Sequence, residues 1–134
     1  MLTQNQKNEL VQRASEIRQY AYAPYSKYPV GAALLTKSGK IYTGVNVENA
    51  VFPLTNCAER SAIYTAVTDG EKDFEAIAIV TENAGPPCGA CRQVMAEFGL
   101  DIVVLIANTD GRIAHEMSVA ELLPIAFIPA DLVR

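Results

Sequence analysis

Basic charge is in short supply in this sequence: 11 Lys and Arg stand against 15 Asp and Glu, for a net charge of −4 and a pI near 4.9. A protein that grips a polyanion needs clustered cations to displace condensed counterions, so nucleic acid is excluded as the expected ligand. Also missing is any apolar run of the roughly 20 residues that a bilayer-spanning helix requires. The opening MLTQNQKNEL lacks the apolar core of a secretory signal, which makes the cytoplasm the expected location. No internal repeat, linker or low-complexity stretch divides the chain. Its 134 residues suit one compact domain, 1–134, able to bury roughly two thirds of the surface that the unfolded chain exposes.

Cysteine and histidine are scarce as well. Three cysteines in a reducing compartment cannot pair off into disulfides, so metal binding or catalysis is the better use for them. The one histidine, His115, lies far along the chain from the cysteines and is expected to be a surface or packed imidazole. What the chain does have is apolar bulk: 50% of its residues are hydrophobic and the mean hydropathy is +0.12. That is rich for a soluble monomer and leaves apolar surface for contacts between subunits. Tyr20, Tyr22 and Tyr25 have no basic residues around them, so they read as packing near the first loop and not as a stacking platform for single strands.

Along the chain, Thr3 and Gln6 form a capping-box pattern, and Leu10, Ala14, Ile17 and Ala21 share one face of a helical period. The first helix is therefore expected to run until just before Pro24. APYSKYP, from Ala23 to Pro29, is a turn-rich loop, followed by a hairpin of VGAALLT and IYTGVNV around Ser38 and Gly39. A loop from Glu48 leads to a helix over CAERSAIYTAVTDG, with Thr55 or Asn56 as the expected cap and Gly70 as the stop. EAIAIVT is a strand, NAGPP a loop, Cys88 to Phe98 a short helix closed by Gly99, and DIVVLIA a strand covered on both faces. A turn at NTDG, a short strand around Ile113, a helical turn at SVAELLP and an apolar tail, IAFIPADLV, complete the reading. The alternation of helix and strand implies a layered α/β fold with a mixed sheet, whose ligands gather where strands end and helices begin.

Both cysteine groups fall at such junctions. Cys88 and Cys91 are three apart at a helix start and can grip one ion, while Cys57 begins another helix and can supply a third thiolate. Helix amino ends favour negative charge and lower the cost of bringing thiolates together. Three protein ligands leave one tetrahedral position open, as catalytic zinc requires, and thiolate softness selects zinc over magnesium or calcium. Zinc can lower the pKa of a bound water from about 15.7 towards 7. Glu59 is too close to Cys57 in sequence to share the metal as a regular helical neighbour, yet it can lie beside the open position and carry protons. A closed structural zinc knot or plain buried thiols would explain a lone CxxC. They do not explain CAE followed by PPCGAC, which is similar to the zinc deaminase signature of a ligand, a gap, a Glu and then Pro-Cys-x-x-Cys.

With VGAAL (Val30–Leu34), NVENA (Asn46–Ala50), CAERSAI (Cys57–Ile63) and PCGACRQV (Pro87–Val94) added, nearly the whole chain resembles the cytidine deaminase family, in its short homotetrameric class with three cysteine ligands. The resemblance implies a three-layer α/β/α fold with a mixed five-stranded sheet. It implies hydrolysis of cytidine and deoxycytidine to uridine and deoxyuridine with release of ammonia, as in pyrimidine salvage, with Zn2+ as cofactor. Cys57, Cys88 and Cys91 match the metal ligands and Glu59 the proton shuttle. Asn46 and Glu48 match the pair that holds the ribose 3′-hydroxyl, and Val47 lies between them in the same substrate-binding string. Tyr28 stands where the family usually has Phe near the pyrimidine, and Phe52 where it often has Tyr. Backbone groups around Ala58 and Pro87 are expected to read the base, and Phe127 matches an aromatic donated by a neighbouring subunit. Arg60 matches an Arg expected to draw charge from the sulfurs, since three thiolates on a divalent zinc leave a formal charge of −1.

Two rivals stand beside this reading. A deaminase of another amino-substituted ring, such as blasticidin S, resembles the same fold and site, but NVEN followed by CAER favours a nucleoside. A binding protein that kept the zinc for structure alone is disfavoured by Glu59, which a closed site does not need.

Overall fold

The computed structural model describes residues 1–132, so the last part of the apolar tail expected through Val133 lies outside the described residues. Helix α1 spans Gln4–Ile17 and begins as its sequence demands: the Thr3 hydroxyl accepts the Gln6 N–H at 3.1 Å, and Gln6 Oε1 accepts the Thr3 N–H at 2.9 Å. It ends earlier than its periodicity suggests, passing into a single 3-10 turn, Arg18–Tyr20. The reason is a competing bridge. Tyr22 donates its N–H to the Asn46 carbonyl at 2.9 Å and its carbonyl accepts the Glu48 N–H at 2.9 Å, which draws the backbone out of the helix.

Five strands follow: β1 Gly31–Thr36, β2 Ile41–Val45, β3 Phe74–Val80, β4 Val103–Ala107 and β5 Ile113–Ser118, in the spatial order β2-β1-β3-β4-β5. Only β3 and β4 are parallel, so the sheet is mixed as expected. The strand expected around Ile113 extends over six residues, because it pairs as an edge strand with β4 from Val103 to Ala107. His115 lies exposed on it.

Side-chain alternation splits the core into two layers. Ala33, Leu35, Ala76, Ala78, Val80, Leu105 and Ala107 face Leu10, Val11 and Ala14 of α1. Ala32, Leu34, Ile77, Ile79, Val104 and Ile106 face the opposite helices, α2 (Ala58–Thr68) and α3 (Gly89–Phe98), through Ala62, Ile63, Ala66, Met95 and Ala96. The result is three layers, helix on sheet on helix. Helix α2 lies directly on β2, where a side chain at Gly44 would come within 2.4 Å of the Ala62 nitrogen. Glycine is required there by space. Short helices α4 (Val119–Leu122) and α5 (Pro129–Leu132) end the described chain.

The register puts three connections at one end of the sheet. Val45 at the end of β2 pairs with Gly31 at the start of β1, Gly31 with Val80 at the end of β3, and Val80 with Ala107 at the end of β4. The loops entering β1, leading from β2 to α2 and leading from β3 to α3 therefore converge.

Candidate metal centre and adjoining cavity

Helices α2 and α3 both start at that end, and each starts on a cysteine. Cys57 is the residue capping α2, not Thr55 or Asn56, and Cys88 caps α3. Asn56 turns its amide to the Ser61 hydroxyl instead, at 3.2 Å. Neither cysteine bonds to its helix's free N–H groups. The sulfurs are thereby left beside two positive helix ends. Cys91, one turn into α3 and fully buried, completes a group in which the three sulfurs lie within 4.8 Å of one another.

The electrostatics of the group are those of a cation site. The Arg60 Nη2 donates to Cys57 Sγ at 2.8 Å, while its Nε is buried without a partner. A hydrogen bond from the Cys91 thiol, joined by the Arg60 guanidinium, lowers the Cys57 thiol to about 5. Cys91 is pushed up for the reciprocal reason, holding the proton that Cys57 accepts, and burial adds to the effect. Sulfurs that compete for a proton in a pocket with one deprotonated neighbour are suitable donors for a divalent cation, which displaces protons as it binds. Soft sulfur in a set of three, beside an open cavity, fits zinc.

That cavity has a volume of about 270 Å³ and is lined by Tyr28, Asn46, Glu48, Cys57, Ala58, Glu59 and Cys88 among others. It lies near the lower end of the roughly 300–1,000 Å³ usual for small-molecule pockets. Glu59 forms part of its wall from the first turn of α2 and is only 4% exposed. Burial raises its carboxyl above the usual carboxylate range, and the neighbouring Cys57 charge acts in the same direction. A buried carboxyl shifted upward on a cavity wall is a candidate for general acid–base chemistry.

Asn46 and Glu48 line the same cavity, and both are buried. They also hold the loop that faces it. Asn46 accepts the Val30 N–H at 2.9 Å and donates to the Tyr28 carbonyl at 2.9 Å. Glu48 accepts the Tyr25 and Ser26 N–H groups at 2.9 and 3.1 Å and the Ser26 hydroxyl, which holds its carboxyl below the usual range. Val47 points away: it is 47% exposed, its backbone is paired with Asn56, and it is absent from the cavity wall. Phe127 is likewise outside, exposed on the segment after α4, where Gln93 of α3 donates to its carbonyl at 2.8 Å. Phe52 is exposed and meets Tyr25 edge-on at 5.8 Å. The sequence reading did not single out Ser26, Thr81, Gly85 and Pro86, which also line the cavity. Ser26, Gly85 and Pro86 fall in the turn-rich segments APYSKYP and NAGPP, and Thr81 at the end of the strand EAIAIVT.

The profile of the cytidine and deoxycytidylate deaminase zinc-binding region matches residues 4–107. The chain is 50% identical to a cytidine deaminase from Sporosarcina psychrophila over 127 residues, covering 92% of this chain and 93% of that protein. A blasticidin-S deaminase from Bacillus cereus is 34% identical over 129 residues, covering 89% of this chain and 90% of that protein. Among solved structures, cytidine deaminase from Burkholderia pseudomallei superposes with a TM-score of 0.85 at 46% identity, covering 94% of this chain and all of that one.

Proposed function

Because the chain belongs to the cytidine and deoxycytidylate deaminase family, we propose that it hydrolyses the 4-amino group of cytidine and deoxycytidine, giving uridine or deoxyuridine and ammonia. The observation that carries this reading is the placement of a buried, raised-pKa Glu59 on the cavity wall beside the Cys57, Cys88 and Cys91 sulfurs. Those three cysteines hold zinc, which supplies Lewis-acid activation of water at neutral pH.

The chain's own groups do the rest. Glu59 takes a proton from water as its oxygen bonds to C4 and delivers it to ring N3, then takes the proton of the new C4 hydroxyl and passes it to the amine as the C4–N bond breaks and the C4 carbonyl forms, so that water is consumed and ammonia leaves. The cavity wall at Ala58 and Pro87 faces the base with backbone groups. Asn46 and Glu48 take the ribose 3′-hydroxyl with the capacity left over from their loop contacts: an amide N–H remains on Asn46, and acceptor sites remain on the carboxylate. Tyr28 offers the base an aromatic face. Arg60 withdraws charge from the Cys57 sulfur, offsetting the excess negative charge of three thiolates.

The protein works as a homotetramer in the cytoplasm, as one catalytic domain, and among its described residues no helix is long and apolar enough to cross a membrane. Exposed Val51, Phe52, Leu54, Ile125 and Phe127 support subunit contact, because an isolated chain rarely leaves so much apolar surface wet. Phe127, exposed and outside its own chain's cavity, closes a neighbour's in this reading, and the Gln93 contact to its carbonyl supports a defined position for it.

Ammonia release from cytidine, deoxycytidine, cytosine, dCMP, adenosine and blasticidin S tests the assignment. Turnover of the two pyrimidine nucleosides above the others is expected. Preference for blasticidin S, or for the phosphorylated nucleotide, would reassign the substrate.

A further inference from the structure

Two walls of the cavity are tied together by a side chain whose aromatic ring alone would not do it. Tyr28, on the loop entering β1, donates its hydroxyl to Asn83 Oδ1 at 2.7 Å, across 55 residues of sequence. Asn83 belongs to the segment that leaves β3 and delivers Pro87 and Cys88 to α3. Within that segment the buried Thr81 hydroxyl donates to the same Asn83 oxygen at 3.3 Å and accepts the Gly85 N–H at 2.7 Å. Between them Ala84 is held left-handed, at φ 55°, a conformation that costs a non-glycine residue energy and persists only where its surroundings enforce it. At its other end Tyr28 is equally fixed: its N–H donates to the Ser26 hydroxyl at 3.1 Å, and its carbonyl accepts from Asn46.

Gly85 completes the arrangement. Its backbone is not left-handed, so conformation does not demand glycine. Space does: a side-chain carbon there would lie 2.2 Å from the Tyr28 hydroxyl oxygen, yet 3.5 Å from the ring carbon bearing it. The first distance is a collision and the second an ordinary contact.

We propose that the Tyr28 hydroxyl locks the Pro87–Cys88 wall to the opposite loop, that the lock sets the width of the substrate pocket, and that Gly85 is glycine in order to admit it. Tyr28 acts here as a positioning residue, through Asn83, and the proposal rests on the cavity being the nucleoside site argued above.

Steady-state kinetics on cytidine and the rate of zinc transfer to a chromogenic chelator, measured on the holoenzyme and its variants, test it. A hydrogen bond of ordinary strength implies that Tyr28→Phe raises KM roughly three- to tenfold, more than it lowers kcat, and speeds zinc release by a similar factor. Asn83→Ala should do the same, and the double variant should be no worse than either single change. Gly85→Ala should raise KM at least about tenfold alone, whereas Tyr28→Phe/Gly85→Ala should return to within about twofold of Tyr28→Phe. A purely structural role does not produce that suppression. Multiplying effects of Tyr28→Phe and Asn83→Ala, or equal damage from Gly85→Ala in both backgrounds, would overturn the lock. Absence of cytidine turnover in the unaltered enzyme would instead defeat the functional reading, and the zinc-release rates would still decide the lock.

Discussion

Helices α1 and α4 begin on Thr3 and Ser118, and each closes a capping box with Gln6 or Glu121; helices α2 and α3 begin on Cys57 and Cys88, whose sulfurs cap nothing. The first pair is built for stability, since a hydroxyl cap is worth about 1 kcal/mol over a residue that cannot cap. The second pair forgoes that gain. The sulfurs lie instead beside two helix amino ends, whose dipoles favour thiolates. The same secondary structure therefore starts in one way where it holds the fold and in another where it holds the chemistry.

The largest expected effect comes from making a helix start proposed to bear the metal resemble a structural one. Cys57→Ser should lose zinc and all detectable turnover. The metal-free variant should nevertheless melt about 3 °C above metal-free wild type, from a new cap worth about 1 kcal/mol. Melting curves of the two metal-free proteins decide this, and a less stable variant would break the comparison. Next comes the charge around the sulfurs. Arg60→Ala should cost about 10- to 100-fold in activity or zinc affinity, and adding Cys57→His should recover part of the loss by removing one negative charge. Near-normal turnover and zinc retention in Arg60→Ala would reject charge compensation while leaving the site standing.

An effect of similar size is expected where a site residue also serves the fold. Asn46→Ala and Glu48→Ala should each lose about ten- to a hundredfold in kcat/KM on nucleosides, and less on any residual reaction of free cytosine. Equal losses on both substrates would contradict sugar binding. Glu48 adds a pH signature. Its folded-state pKa is depressed, chiefly by the Ser26 hydroxyl, so the stability it contributes is complete above the ordinary carboxylate range and is lost as the pH falls below that range. Acid unfolding of wild type should thus be steeper there than that of Glu48→Gln. The smallest effect belongs to the structural start: Thr3→Ala should lower the melting point by about 3 °C, for about 1 kcal/mol, and leave kcat unchanged.

The contrast also separates what the sequence made legible from what it did not. Thr3 with Gln6 announced its helix because a capping box is a local pattern. The cysteines and Glu59 announced the site because ligand chemistry constrains residue type and spacing together. Asn46 and Glu48 lie two apart and share a face, as strand alternation dictates, which leaves Val47 between them turned outward. Cap preferences point to Thr55 or Asn56 for α2 because they describe helix starts built for stability, whereas this one begins on Cys57, a proposed metal ligand. The early end of α1 depended on a bridge from Tyr22 to Val47, and the full length of β5 on its partner β4. The Tyr28 to Asn83 bond joins loops that only the folded sheet brings together. Contacts that tertiary structure creates leave no periodic trace in the chain.

Catalysis by this site turns on Glu59, which is buried, raised in pKa and beside the sulfurs without belonging to the cysteine group. Zinc content and uridine formation from cytidine, measured on the same preparations of wild type and Glu59→Gln, bear on it most directly. One zinc per chain is expected in both, with turnover reduced by at least about a thousandfold in the variant. Turnover within tenfold of wild type in zinc-loaded Glu59→Gln, or full activity in protein without zinc, would contradict it.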